Sequence, residues 1–153
     1  MNSENSNLKS FRHKVGQNWY HVVLIPKYRN PVFRQEHQRK LMNEAIKWIC
    51  SRHSLELFTF EIMDDHVHLF VSCPPRYSIV KTIAIVKGGT SYYIRSKHTP
   101  LRRYAAFWNR GGMFRSVGNV SAEVVSKYID KNNWALAQKR LIWTAWATDT
   151  SKL

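Results

Sequence analysis

Acidic residues are scarce in this chain: Asp and Glu number 10 in 153 residues, against 24 Lys and Arg, for a formal net charge of +14. An imbalance of that size draws polyanions, of which phosphate backbones are the usual case. Cysteine is nearly absent. Cys50 and Cys73 are the only two, too few and too far apart for a C-x-x-C metal motif, and they read as buried free thiols in a reducing compartment. No apolar run approaches the length of a membrane span. The first residues, Met1 to Ser10, are polar and lack the apolar core of a signal peptide. Residues 1–12 are therefore expected to be a disordered lead-in, and the chain to reside in the cytoplasm or nucleoid. There is no internal repeat and no low-complexity segment.

What the chain does have is aromatic residues. Six Trp, seven Tyr and seven Phe make up 13% of it. Cations interleaved with aromatics suit single-stranded nucleic acid, whose bases stack on rings while its phosphates meet the cations. The hydrophobic fraction of 44% is ordinary for one globular domain of this length.

Hydrophobic periodicity orders the elements. Trp19 to Ile25 reads as a strand ended by Pro26, and Lys27-Tyr28-Arg29-Asn30-Pro31 as a basic turn. Arg34 to Arg52 reads as a helix with Leu41, Ala45, Trp48 and Ile49 on one stripe. Leu55 to Met63 and His66 to Cys73 form a hairpin of strands. Pro74-Pro75 breaks the chain before a second helix, Ser78 to about Lys97, with Ile79, Ile83, Val86, Thr90 and Tyr93 in helical register. Its internal Gly88-Gly89 suggests close approach of another backbone. Arg102 to Gly112 is a loop, Met113 to Gly118 a short strand, and a third helix begins near Ser121, an acceptable N-cap. The order β-α-β-β-α-β-α predicts an α+β, ferredoxin-like fold: the split βαβ, RRM-like antiparallel sheet with helices on one face. A C-terminal helix follows.

The segment Asp65-His66-Val67-His68-Leu69-Phe70 carries the chemistry. Strand side chains alternate, so His66 and His68 share one face about 7 Å apart along the backbone while Val67, Leu69 and Val71 face the core. Two imidazoles so placed can share a divalent ion. On the third helix Tyr128 lies with Val124, Val125 and Ile129 on one stripe, where spacing alone favours a core or half-buried tyrosine. Asn132, four residues on, lies beside it. A phenol next to an amide and near a metal pair is suited to attack phosphorus, forming a covalent link that conserves the energy of a phosphodiester. Tyr92-Tyr93 competes for that role.

Taken together, these segments resemble the single-tyrosine transposases of insertion sequences that move as single-stranded DNA, within the superfamily named for its His-hydrophobic-His motif. The likeness runs in order through Tyr20-His21-Val22-Val23, Pro26-Lys27-Tyr28-Arg29, Pro31-Val32-Phe33, Met63-Asp64-Asp65-His66-Val67-His68-Leu69, Lys87-Gly88 with Thr90-Ser91, Trp108-Asn109-Arg110-Gly111 to Ser116-Val117-Gly118, and Tyr128-Ile129. It implies a catalytic domain over residues 13–133 and a tail over 134–153. His66 and His68 would bind Mg²⁺ or Mn²⁺, and Tyr128 would form a 5′-phosphotyrosine, leaving a 3′-OH for strand transfer. The resemblance further implies a homodimer acting on hairpins at element ends, in which the tyrosine helix of one subunit can complete the metal site of the other; assembly in cis or in trans stays open. Two positions depart from the family. Asn132 stands where a Gln usually serves as third metal ligand, and Asp64 where a Pro usually precedes the Asp-His.

Rival readings remain at this level. A non-mobile relative acting on genomic palindromes, or a replication-initiator or relaxase-like nickase, would share the chemistry. A non-catalytic nucleic-acid-binding module on the same sheet would have no need of His66 and His68. Lys27, Arg29, Lys87, Arg110 and Arg115 are the candidate phosphate contacts.

Overall fold

The computed structural model describes residues 9–103 and 106–117. A short ribbon opens it, β1 (Lys9–Phe11) antiparallel to β2 (Lys14–Gly16). Residues 9–11 were expected to be part of an unstructured lead-in. Their backbones instead pair across a two-residue turn, although their side chains are largely exposed, so no apolar alternation announces them. Next come β3 (Trp19–Leu24), α1 (Glu36–Arg52), β4 (Leu57–Ile62), β5 (Val67–Ser72), α2 (Ile79–Lys97) and β6 (Met113–Val117). The four later strands form one antiparallel sheet in the order β4-β5-β3-β6. That is the strand order of the split βαβ plan. The helix expected from Ser121, with Tyr128 and Asn132, lies outside the described residues.

Period-two alternation divides the sheet. Val22, Leu24, Val67, Leu69 and Val71 join one core with Met42, Ala45, Ile46 and Ile49 of α1 and Val86 and Ile94 of α2, so both helices cover the same face. His21, Val23, His68 and Phe70 belong to the other face by alternation. Ser78 caps α2, its hydroxyl accepting from the Lys81 amide at 3.1 Å, which satisfies one of the orphan donors of the first turn.

The buried stripe of α2 differs from the one the apolar spacing suggested. Thr82, Val86, Thr90 and Ile94 are buried, while Ile79, Ile83 and Tyr93 are only partly so. Threonine serves because its hydroxyl is satisfied within the helix. Thr82 Oγ1 donates to Ser78 O at 3.1 Å and Thr90 Oγ1 to Val86 O at 2.7 Å. Both cysteines are buried and free, and burial pushes the Cys50 thiol up to about 11.

The paired glycines have separate explanations. A Cβ on Gly89 would overlap Cγ1 and Cδ1 of Ile49 on α1, whereas one on Gly88 meets open space. The helices thus touch at Gly89. Gly88→Ala is expected to stabilise the fold by up to about 1 kcal/mol through helix propensity. Gly89→Ala gains the same propensity but overpacks a buried isoleucine, for a net loss of about 1–2 kcal/mol. Urea unfolding of the two variants checks this, and equal effects would refute the contact as the cause.

Candidate active site

The sheet face away from the helices carries a line of imidazoles. His66 immediately precedes β5 and His68 lies within it. Their Nε2 atoms are 3.0 Å apart, and the rings meet edge to face. Behind them, His21 of β3 stacks on His68 with an interplanar angle of 16°, its Nε2 3.1 Å from His68 Nδ1. Register explains the meeting: Val23 pairs with His68 and His21 with Phe70, so His21 is the diagonal neighbour on the same face. Sequence reasoning quoted His21 within a motif but gave it no role. Strand alternation signals its face, but only the inter-strand register puts it on His68.

Each histidine of the pair is held from behind. His66 Nδ1 donates to Asp65 Oδ1 at 2.6 Å, and Arg29 Nε donates to Asp65 Oδ2 at 2.7 Å. Burial alone would raise the Asp65 carboxyl, but the hydrogen bonds and charges of His66 and Arg29 outweigh it and hold the group below the usual carboxylate range. His68 is pushed down to about 3, first by burial and then by its imidazole neighbours. His21 falls to about 4 through burial and the charge of Arg115, its partner in register on β6. At neutral pH His68 and His21 are therefore uncharged and keep lone pairs.

That donor set fits a divalent ion. With its Nδ1 side engaged by the Asp65 carboxylate, His66 turns its Nε2 toward His68. Two cis ligands at 2.0–2.1 Å on an octahedral ion stand about 3 Å apart, the separation found here. No third His, Cys, Asp or Glu completes a metal-binding group among the described residues. The amide expected to add an oxygen, Asn132, lies outside them. Asp65→Asn removes the carboxylate charge while keeping the side-chain shape. It is expected to weaken Mn²⁺ binding by about 10- to 100-fold, measured by the free-Mn²⁺ EPR signal. An unchanged affinity would show that Asp65 does not orient His66.

The turn bearing Arg29 is strained. Tyr28 has φ 59 and ψ 18 and Arg29 φ 51, the left-handed region that costs a non-glycine residue about 1–2 kcal/mol. Ser54 shares that conformation, but it follows the end of α1, where helices commonly terminate so. Tyr28 instead sits inside a single 3-10 turn, Lys27–Arg29, whose φ/ψ it departs from. The turn is stitched from outside: Lys27 N donates to Phe107 O at 2.9 Å, Asn109 N to Ile25 O at 2.8 Å, and Pro26 bridges to Trp108. Trp108 Nε1 in turn donates to Thr90 Oγ1 at 3.0 Å. The Trp108 to Gly112 stretch is thus a clip that holds the end of β3.

Lys87 completes that clip. Its ammonium donates to the carbonyls of Asn109 (2.8 Å), Arg110 (3.2 Å) and Gly111 (2.9 Å), and burial lowers its pKa. Expected as a phosphate contact, it has three carbonyl partners for its three protons in this conformation. Arg29 is ion-paired with Asp65. Arg110 and Arg115 are exposed, and Lys27 lies over the Tyr28 ring. Asp64 binds Arg39 Nη2 at 2.7 Å, and Arg39 also donates to Phe33 O. The departure from proline there gives the turn an anchor on α1. Tyr92 and Tyr93, the rivals for the nucleophile, sit on α2 across the sheet from the imidazoles, with the Tyr93 hydroxyl 3.3 Å from Glu44.

Comparison with known proteins agrees with this geometry. The family described as "Transposase IS200 like" matches residues 14–132. The transposase for insertion sequence element IS200 of Salmonella typhimurium is 28% identical over 119 residues, 76% of this chain and 78% of that one. The ISDra2 transposase TnpA of Deinococcus radiodurans is 27% identical over 129 residues, 82% and 91% of the two chains. A crystal structure of a protein from Deinococcus radiodurans R1, assigned as a transposase, superposes with a TM-score of 0.65 at 25% identity, covering 80% of this chain and 95% of that one.

Proposed function

This chain belongs to the IS200-like transposase family, and from that premise we propose that it cleaves and rejoins single-stranded DNA through Tyr128 in a metal-dependent reaction at hairpin-marked ends. The observation that carries the reading is the His66–His68 pair, its two Nε2 atoms 3.0 Å apart on the sheet face away from the helices.

His66 and His68 would hold one Mg²⁺ or Mn²⁺, with the Asn132 carbonyl as a further ligand. Bound there, the ion polarises the scissile phosphate and stabilises charge as it develops. Asp65, backed by Arg29, fixes the His66 ring, and His21 fixes the His68 ring. The Tyr128 oxygen forms a bond to phosphorus as the P–O3′ bond breaks. The phenolic proton is lost and the departing 3′ oxygen gains one. The 5′ phosphate stays on the enzyme as a phosphodiester of tyrosine, so a 3′-OH can reverse the step and join a new strand. The enzyme is proposed to act as a homodimer, Tyr128 of one subunit completing the site of the other. Among the described residues no helix is long and apolar enough to cross a membrane.

The test is a denaturing gel. The protein is mixed with labelled single strands from the flanks of its own gene, in Mn²⁺ or in EDTA. A metal-dependent covalent adduct supports the reading. Tight binding without an adduct on any flank strand would leave a non-catalytic hairpin-binding protein. Binding itself is expected to weaken steeply with salt. Neutralising three phosphates, as Lys27, Arg110 and Arg115 would, gives a log–log slope of about −2 on single strands. Fluorescence anisotropy across a salt series measures it, and a flat response would remove the polyanion reading.

A further inference from the structure

The strained turn presents one side chain that neither the fold nor the proposed chemistry uses. Tyr28 is 77% exposed, so its ring gains little from burial. Yet it stands in a left-handed conformation that glycine or asparagine would adopt at lower cost. A bulky residue held there against its backbone preference points to a use outside the fold. The next residue along, Arg29, holds the carboxylate that holds His66, through contacts of 2.7 and 2.6 Å. The Tyr28 backbone is therefore anchored beside the site. The Lys27 ammonium lies over one face of the ring, 5.3 Å from its centroid, so a base would take the opposite face with a cation near enough to meet its phosphate.

We propose that the Tyr28 ring is a stacking platform for one unpaired nucleobase of the DNA strand, and so fixes the register of that strand over the His66–His68 pair. The assignment rests on the reading that single-stranded DNA is the substrate. An aromatic face, a flanking cation and an unpaired base are the components of sequence-tolerant single-strand binding. Stacking on one ring carried by an anchored backbone sets position along the strand rather than base identity. Arg29 and Tyr28 divide the turn between them: the first faces inward to the Asp65 carboxylate, and the second offers its ring to the substrate.

The test uses the full chain in EDTA, so that no strand is cut, with oligonucleotides tiling the strand that flanks its own gene. Tyr28→Gly relieves the backbone and is expected to melt no lower than the wild type. Its affinity for the bound oligonucleotide should fall about tenfold, within the range of one lost base stack. Its salt slope should not change, because no phosphate contact is lost. Tyr28→Phe should bind within about twofold of wild type. Abasic substitutions walked along the oligonucleotide should then find one position where removing the base costs the wild type the same tenfold and costs Tyr28→Gly nothing more. Wild-type affinity in Tyr28→Gly would overturn the proposal alone, as would Phe as weak as Gly, or a loss additive with every abasic position. Absence of any single-strand binding by the wild type would overturn the substrate reading together with it.

Discussion

Tyr128→Phe is expected to bind its DNA as the wild type does and to form no covalent adduct, with strand cleavage reduced by about four orders of magnitude or more. Losses of that size follow removal of an attacking atom, since the remaining groups bind and polarise but supply no nucleophile. The substitution deletes one oxygen and leaves the ring, so binding and thermal unfolding should hold steady. The adduct gel and a binding isotherm on the same preparation measure both quantities. Tyr92→Phe and Tyr93→Phe should retain the adduct. Their helix packs on the sheet face opposite His66 and His68, and the Tyr93 hydroxyl is engaged with Glu44. Tyr28→Phe should retain it as well, because the platform needs the ring and not the hydroxyl. An adduct that survives in Tyr128→Phe and disappears in any of these three would reassign the nucleophile.

His66→Ala and His68→Ala are each expected to abolish metal-stimulated cleavage while leaving DNA binding within a few-fold of wild type. Either change removes half of a two-imidazole chelate whose 3.0 Å spacing already matches cis ligation. A single remaining imidazole holds Mg²⁺ or Mn²⁺ too weakly at ordinary concentrations to compensate. The loss should exceed that of Asp65→Asn, which disturbs a ligand's orientation and leaves the ligand in place. Cleavage titrated against Mn²⁺ separates the two cases. Asp65→Asn should recover at high metal and the alanine variants should not. Full recovery of His68→Ala would mean that His66 and other groups suffice, and would demote His68 to a structural residue. Neither alanine should unfold the protein, since Val67, Leu69 and Val71 carry the core contacts of β5.

Much of this architecture was legible in the residues. β3 and β5 were readable as short apolar runs closed by Pro26 and Pro74, with buried apolar residues on both faces. The α1 stripe was readable because Leu41, Ala45 and Ile49 recur at helical spacing, and all three are buried. The ribbon of β1 and β2 was not readable, because its exposed residues carry no periodic signal. Thr82 escaped for a different reason: its polarity is cancelled by a bond within its own helix. At the site, His66 and His68 were visible as a pair on one strand. His21 required knowledge of which strand lies beside which, and at what register. The role of Lys87 depended on three carbonyls more than twenty residues away, which no local pattern reports.

Chemistry and cohesion share β5 by parity. Positions 67, 69 and 71 bind the strand to the helices, and positions 66, 68 and 70 face away from them. Val67, Leu69, Phe70 and Val71 can each be exchanged for a similar residue with a local effect. Insertion or deletion of one residue inside the strand is another kind of event, because it exchanges the two sets wholesale. It would drive imidazoles into the apolar layer and turn valines toward the substrate. The four apolar positions should therefore vary among descendants of this chain by substitution while the segment stays constant in length, with insertions and deletions confined to the connections at its ends.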